Sequence, residues 1–115
     1  MDRPENQIEL IEFLAAKKDY KSAQAELEKW QKGNDTSSDR IGEVCYLESL
    51  VLFGLARYGE ALEKGNLAYQ LFRHTLDNKR IARVQFHLGD IFIATGQLKS
   101  AQEILQDAIA SFRRA

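Results

Sequence analysis

Two neighbouring side chains, His87 and Asp90, have the types and the spacing that could support proton transfer or bind a metal ion. Three residues apart on a helix, they share one face, where a carboxylate can orient an imidazole base. A metal site needs more ligands than two, and no further His or Cys follows at metal-ligand spacing. A solvated or groove-lining ion pair is the better-supported interpretation. We therefore predict no metal site and no cofactor here.

The other reactive residues do not form a catalytic pattern either. The sequence contains no glycine-rich phosphate loop, no Ser-His-Asp order and no Cys-His pairing. The single cysteine, Cys45, is expected to be a small core residue. His74 lies near a helix end in a basic neighbourhood, where a positive charge favours the helix dipole. The sequence thus predicts a protein that is not an enzyme and has no catalytic residue.

Charge and composition exclude two classes of partner. Arg73, Lys79, Arg80 and Arg83 form one basic cluster, but 16 basic and 17 acidic residues leave a formal charge of -1. Nucleic-acid binding would require a continuous positive face, so helix-end compensation explains the cluster better. The longest apolar run, 49–56, is too short to span a bilayer, and the first residues do not resemble a signal peptide. We expect no nucleic-acid or membrane partner and a cytoplasmic location.

The elements that position these residues are predicted to be helices throughout the 115 residues. Apolar residues recur at helical spacing, strand alternation is absent, and Pro4 stands where a first helix would begin. Asp19 is a plausible N-cap for the second helix. Polar or glycine-containing breaks separate the remaining helices, at 33–38, 57–59, 77–78 and 95–96. Six helices with short connections form three helical hairpins.

The hairpins repeat along the chain. Ala23, Ala61 and Ala101 are separated by 38 and 40 residues, and each follows a helix break. A small residue at this position lets the two helices of a hairpin approach closely. An offset of 40 aligns further pairs, among them Val51 with Ile91 and Phe72 with Phe112. Such a period is typical of a solenoid, in which each unit buries its apolar face against a neighbour.

The third hairpin resembles the tetratricopeptide repeat, whose pattern is W-x₂-L-G-x₂-Y followed by A-x₃-F. The residues that carry this resemblance are Leu88, Gly89, Phe92, Gly96, Ala101, Leu105 and Ala108. Gln85 replaces the tryptophan, Leu105 replaces the phenylalanine, and the closing proline is missing. The period of 38–40 exceeds the usual 34 and is similar to the longer-helix members of the family.

The resemblance implies an all-α fold, a right-handed helical-hairpin solenoid of three repeats and six helices. The repeats are predicted at about 4–38, 42–77 and 82–115, in a single domain that spans 1–115.

Family geometry implies that the first helix of each hairpin lines a concave groove. The repeat positions that line it correspond here to Glu5, Ile8, Glu9, Glu12, Ala15, Glu43, Tyr46, Leu47, Leu50, Phe53, Arg83, Phe86, His87, Asp90 and Ile93. Of these, the predicted partner-binding residues are Glu9, Glu12, Tyr46, Leu50, Phe53, Arg83, Phe86, His87, Asp90 and Ile93. Aromatic side chains would anchor a partner at the centre, and charged ones would set its orientation. The alternative is that the longer helices shift the packing, so that the aromatic residues belong to the core between repeats.

The last helix has an apolar face for which the sequence offers no covering helix. Solenoids usually finish with a polar-faced capping helix. Either the chain is a fragment of a longer array, or another copy or a partner covers this face. Ile104 and Phe112 are the candidate self-association residues.

The sequence therefore predicts a protein–protein interaction module that binds a peptide or a helix of a protein partner in a concave groove. The alternative function is self-association, as a homodimer, through the C-terminal helix. An enzyme or an RNA-binding protein is the least favoured class.

Overall fold

The computed structural model describes residues 4–31 and 38–115 and contains, over those ranges, six α-helices and no strand. The predicted number of helices is confirmed. The predicted polar loop at 33–38 lies, except for its last residue, outside the described residues. The helices are α1 (Pro4–Ala16), α2 (Tyr20–Gln31), α3 (Ser38–Gly54), α4 (Tyr58–Thr75), α5 (Asn78–Ala94) and α6 (Leu98–Arg114).

Aspartate side chains cap two of the helix starts. The Ser22 amide donates to Asp19 Oδ1 at 3.3 Å, which confirms the predicted cap of α2. The Arg80 amide donates to Asp77 Oδ1 at 3.2 Å at the start of α5. Each carboxylate satisfies a backbone N–H that has no partner within its own helix.

The turn inside each hairpin has the same backbone geometry, which shows the repeat at the level of the main chain. Lys18, Ala56 and Gly96 all adopt a positive φ, at 64°, 61° and 77°. The amide of the following residue then donates to a carbonyl five residues back, for example Gln97 N to Phe92 O at 2.8 Å. This is the Schellman closure of a helix, and glycine adopts its left-handed residue with the least strain. Only the third turn carries that glycine.

The hairpins stack in order along the chain. The second helix of the first two hairpins packs on its own first helix and on the first helix of the next hairpin, while α3 also contacts α1 and α5. Among the described helices, α6 packs only on α5. The repeated alanines Ala23, Ala61 and Ala101 are almost completely buried, as the sequence predicted. The all-α hairpin architecture is thus confirmed, and the described helices leave one face of α6 uncovered.

Candidate functional site

The face formed by α1, α3 and α5 contains a cavity of about 580 Å³, hereafter the larger cavity. It combines three apolar side chains with charges of both signs. Its lining residues are Ile8, Glu9, Glu12, Glu43, Lys79, Arg80, Arg83, Phe86 and Phe112. Six of them stand at predicted groove positions, and Phe112 comes from the end of α6.

The buried carboxylate of Glu43 organises the charges in the larger cavity. Arg80 Nε lies 2.9 Å from Glu43 Oε1, and Arg83 Nη2 donates to the same oxygen. The Arg83 guanidinium also lies over the ring of Tyr46, 4.3 Å from its centroid. A buried carboxylate needs such partners because an isolated charge is strongly destabilising away from water. The cluster read from the sequence as helix-end compensation therefore contributes two arginines to an inter-helix ion pair.

The α1 wall of the larger cavity is acidic. Glu9 and Glu12 lie one turn apart and, within the described residues, neither forms an ion pair. Burial raises the pKa of Glu12, and the negative charges of Glu43 and Glu9 add to this shift, whereas Arg83 opposes it. This wall would therefore be stabilised by a positive charge brought by a partner.

A smaller cavity of about 320 Å³ adjoins the larger one, because Glu12 lines both. Its other lining residues are Ala15, Ala16, Tyr20, Tyr46, Leu50, Phe53 and Gly54. Tyr46 is 7% exposed and Phe53 is half-buried, with its ring 5.6 Å from that of Tyr58. These two aromatic residues therefore pack between the helices and also form part of the wall of a cavity, while Phe86 is exposed.

His87 is buried behind this face. The Ser49 hydroxyl donates to the Ala61 carbonyl at 2.6 Å, which uses its one proton. His87 Nε2, 2.8 Å from Ser49 Oγ, must then be the donor in a neutral imidazole. Burial lowers the pKa of His87 to about 4, against an opposing effect of the Ser49 hydrogen bond. The expected groove-facing ion pair of His87 with Asp90 therefore does not form.

The remaining predicted residues are Asp90, Ile93, Ile104 and Phe112, and of these only Phe112 lines one of the two cavities. Asp90 and Ile93 are exposed on α5. Partial burial of the Asp90 carboxyl raises its pKa. Ile104 packs inward toward Gly89, so it does not present an outer face. Phe112 is 65% exposed. Of the two self-association candidates, only Phe112 is available to a second copy.

Apart from Phe112, the residues of the larger cavity that the sequence reasoning did not place in the groove are Lys79 and Arg80. It also did not predict the ion pair of Glu43, although a signal was present, because Glu43 and Arg83 occupy the same repeat position 40 residues apart. Equivalent positions on stacked helices lie side by side, so opposite charges there predict an ion pair between hairpins.

Residues 4–31 and 38–115 contain neither a candidate metal site nor a candidate membrane-spanning helix. No group of three or more His, Cys, Asp or Glu side chains could hold a metal ion. None of the helices there has the length and apolarity that crossing a membrane requires.

The sequence pattern of the tetratricopeptide repeat matches residues 46–114, more than half of the chain. The chain belongs to the tetratricopeptide repeat family. Repeats of this family mediate protein–protein interactions, and the fold is an interaction scaffold rather than an enzyme fold. No curated protein and no solved structure matches the chain.

Proposed function

We propose that this protein binds a peptide or helical segment of a protein partner along the face formed by α1, α3 and α5. The observation that carries the proposal is the pair of adjoining cavities that share Glu12. Concave sites that combine apolar walls with a few charged groups are typical of binding sites. A segment lying across both cavities would contact all three helices at once.

The larger cavity indicates which side chains the segment would carry. Ile8, Phe86 and Phe112 provide an apolar lining for one apolar side chain. Arg80 and Arg83 are already paired with Glu43, and Arg80 also with Asp77, whereas Glu9 and Glu12 form no ion pair within the described residues. A lysine or arginine of the partner, next to its apolar residue, would supply the missing positive charge.

The test is selection of random peptides displayed on phage, with the full chain as the target, followed by fluorescence polarisation of the selected peptides. Phe86→Glu should weaken binding at least about tenfold, because it places a carboxylate among the apolar lining and beside Glu12. Leu67→Glu is the matched control: Leu67 is 46% exposed, against 41% for Phe86, and lies on α4 outside both cavities.

Peptides that bind the Phe86→Glu variant as tightly as the parent protein would contradict the proposal, as would a selection that yields no binding peptide. Lysine or arginine should be enriched in the selected peptides, and Glu12→Gln should reduce that enrichment. Circular dichroism of each variant should show unchanged helicity, since Phe86 and Leu67 are both exposed.

A second candidate function is self-association. Leu98, Ile109 and Phe112 on α6 are 65%, 47% and 65% exposed. An apolar surface of this kind often marks an interaction site. Light scattering over a wide concentration range tests it: a mass that rises toward twice 13.1 kDa supports self-association, and a constant 13.1 kDa contradicts it.

A further inference from the structure

The two sides of the larger cavity differ in charge. Glu9 and Glu12 of α1 form no ion pair within the described residues, and neither does Lys79 of α5. The two arginines beside Lys79 in the cavity are already paired with Glu43 of α3, and α3 lies between α1 and α5. Glu9 and Lys79 are exposed, and Glu12 is half-buried. A partner could therefore neutralise a negative charge on one side of the cavity and a positive charge on the other.

These charges also lie at different heights along the helices. The helices α1, α3 and α5 run in the same direction, because each is the first helix of its hairpin and the hairpins stack in order. With the repeat offsets of 38 and 40 residues, Glu12 is level with Leu50 of α3, whereas Lys79 is level with position 39. Eleven residues of helix correspond to roughly 16 Å, and Glu9 lies one turn nearer to Lys79. The negative and the positive charges are thus at opposite ends of the cavity.

The dimensions of the larger cavity favour an extended segment over a helix. A volume of about 580 Å³ spread over roughly 16 Å of length leaves a cross-section about 6 Å wide. A helix with its side chains is about 10–12 Å in diameter, so it could not enter. An extended chain advances about 3.3 Å per residue, so two side chains that reach both ends would be about three to five positions apart.

The smaller cavity continues the face on the far side of Glu12. Its lining residues on α1 and α3 lie toward the C-terminal ends of these helices, whereas Lys79 is the second residue of α5. Among the lining residues of the smaller cavity in the described part of the chain, Glu12 is the only charged one. Its volume of about 320 Å³ exceeds the roughly 150 Å³ in which an apolar cavity takes up benzene. The smaller cavity can therefore accept one large apolar side chain.

We propose that an extended segment of the partner crosses this face with its contacts in a fixed order. An apolar side chain enters the smaller cavity, a basic one binds Glu9 and Glu12, a second apolar one lies against Phe86, and an acidic one binds Lys79. The inference rests on the proposed function and adds the order of the contacts and the acidic residue. The same segment turned end for end would set like charges against each other at both ends of the larger cavity, and such contacts oppose binding.

The experiment measures the coupling between single charges of the protein and of a peptide selected against the full chain. The selected peptides should carry Asp or Glu three to five positions from Lys or Arg, with an apolar residue on the other side of the basic one. Lys79→Gln should weaken binding about three- to tenfold, and less than about twofold once the acidic residue of the peptide is replaced by its amide. Glu12→Gln should show the same dependence on the basic residue of the peptide and none on the acidic one.

Lys99→Gln is the matched control for Lys79→Gln. Both lysines are exposed and both are the second residue of their helix, but Lys99 lies on α6 outside the two cavities. The two substitutions therefore change the net charge and the helix start in the same way. Binding of the selected peptides to the Lys99→Gln variant should be unchanged.

The other outcomes separate this order from the proposed function. Peptides that depend on Phe86 but carry no acidic residue, or that respond equally to Lys79→Gln and Lys99→Gln, overturn the order and leave the proposed function standing. Tighter binding to the Glu12→Gln variant would mean the reverse order and also overturns the inference. A selection that yields no binding peptide, or peptides that are insensitive to Phe86→Glu, overturns both.

Discussion

The second and third hairpins share many residues at equivalent positions, yet the outer surface of the second is buried and that of the third is exposed. Phe72 of α4 is fully buried, and Phe112 of α6, its equivalent, is 65% exposed. Tyr58 is half-buried, and Leu98, its equivalent, is 65% exposed. Two differences account for this. Phe72 lies over Gly42 of its own hairpin, where the third hairpin has Ala82, and α5 covers the first surface whereas no described helix covers the second. In a solenoid, burial is a property of the stack rather than of the repeat.

The largest expected effect comes from truncating the two equivalent phenylalanines. Phe72→Ala should lower the free energy of unfolding by about 3–5 kcal/mol, because it removes a fully buried ring and leaves a cavity. Phe112→Ala should cost less than about 1 kcal/mol, because most of its ring is in solvent. Urea unfolding checks both, and Phe72→Leu serves if the alanine variant does not fold. Equal losses at the two positions would contradict the comparison.

The buried histidine should make the covered interface sensitive to acid. The pKa of His87 is lowered to about 4 in the folded protein, against 6.5 when exposed. Between these values the unfolded chain binds a proton that the folded one does not, so stability falls as the pH drops from about 6.5 toward 4. The loss should be on the order of 3 kcal/mol.

Urea unfolding from pH 7.5 to pH 4.5 measures this loss. His87→Leu is the matched variant, because Leu47 occupies the equivalent position in the second hairpin. The pH dependence should be smaller in this variant by the histidine contribution, while carboxyl titration remains. The same slope in both proteins would show that His87 is not responsible.

Adding a methyl group at two equivalent contacts should distinguish the closed interface from the open one. Gly65→Ala should destabilise the protein by about 1–2 kcal/mol, because Leu88, 1% exposed, has no room to move. Gly89→Ala should cost less, because Leu105 is half-buried beside the open surface of α6 and can rotate outward. Thermal unfolding of the pair tests this. A larger loss at Gly89 would mean that the outer surface of α6 is as confined as the covered surface of α4.

The smallest effect is expected at the hairpin turns. Gly96→Ala should cost about 1 kcal/mol, since its φ of 77° strains a side chain although no atom lies within 4 Å of the added Cβ. Ala56→Gly, at the equivalent turn with φ 61°, should stabilise the protein by up to about 1 kcal/mol. Two changes of the same sign would show that the turns are not equivalent.

Much of the fold could be predicted from the sequence because the signals are local. The Asp19 cap and the Gly96 turn each depend only on residues close to them in the chain. The spacing of the buried alanines Ala23, Ala61 and Ala101 indicates the repeat directly. The candidate site was less predictable. Repeat position alone placed His87 with the groove residues, and it did not select Arg80 or Lys79 for the larger cavity.

The physical reason is that a helix face has no assigned environment until its neighbours are in place. By itself the sequence determined six helices, their turns and the family. Only the tertiary structure decided that His87 lies behind the groove against Ser49, that Glu43 gathers two arginines from α5, and that Phe72 is covered while Phe112 is not. The Ser49–His87 contact spans 38 residues and the Glu43–Arg83 contact 40, and the burial of Phe72 depends on the helix that follows it; such contacts arise from stacking rather than from local propensity.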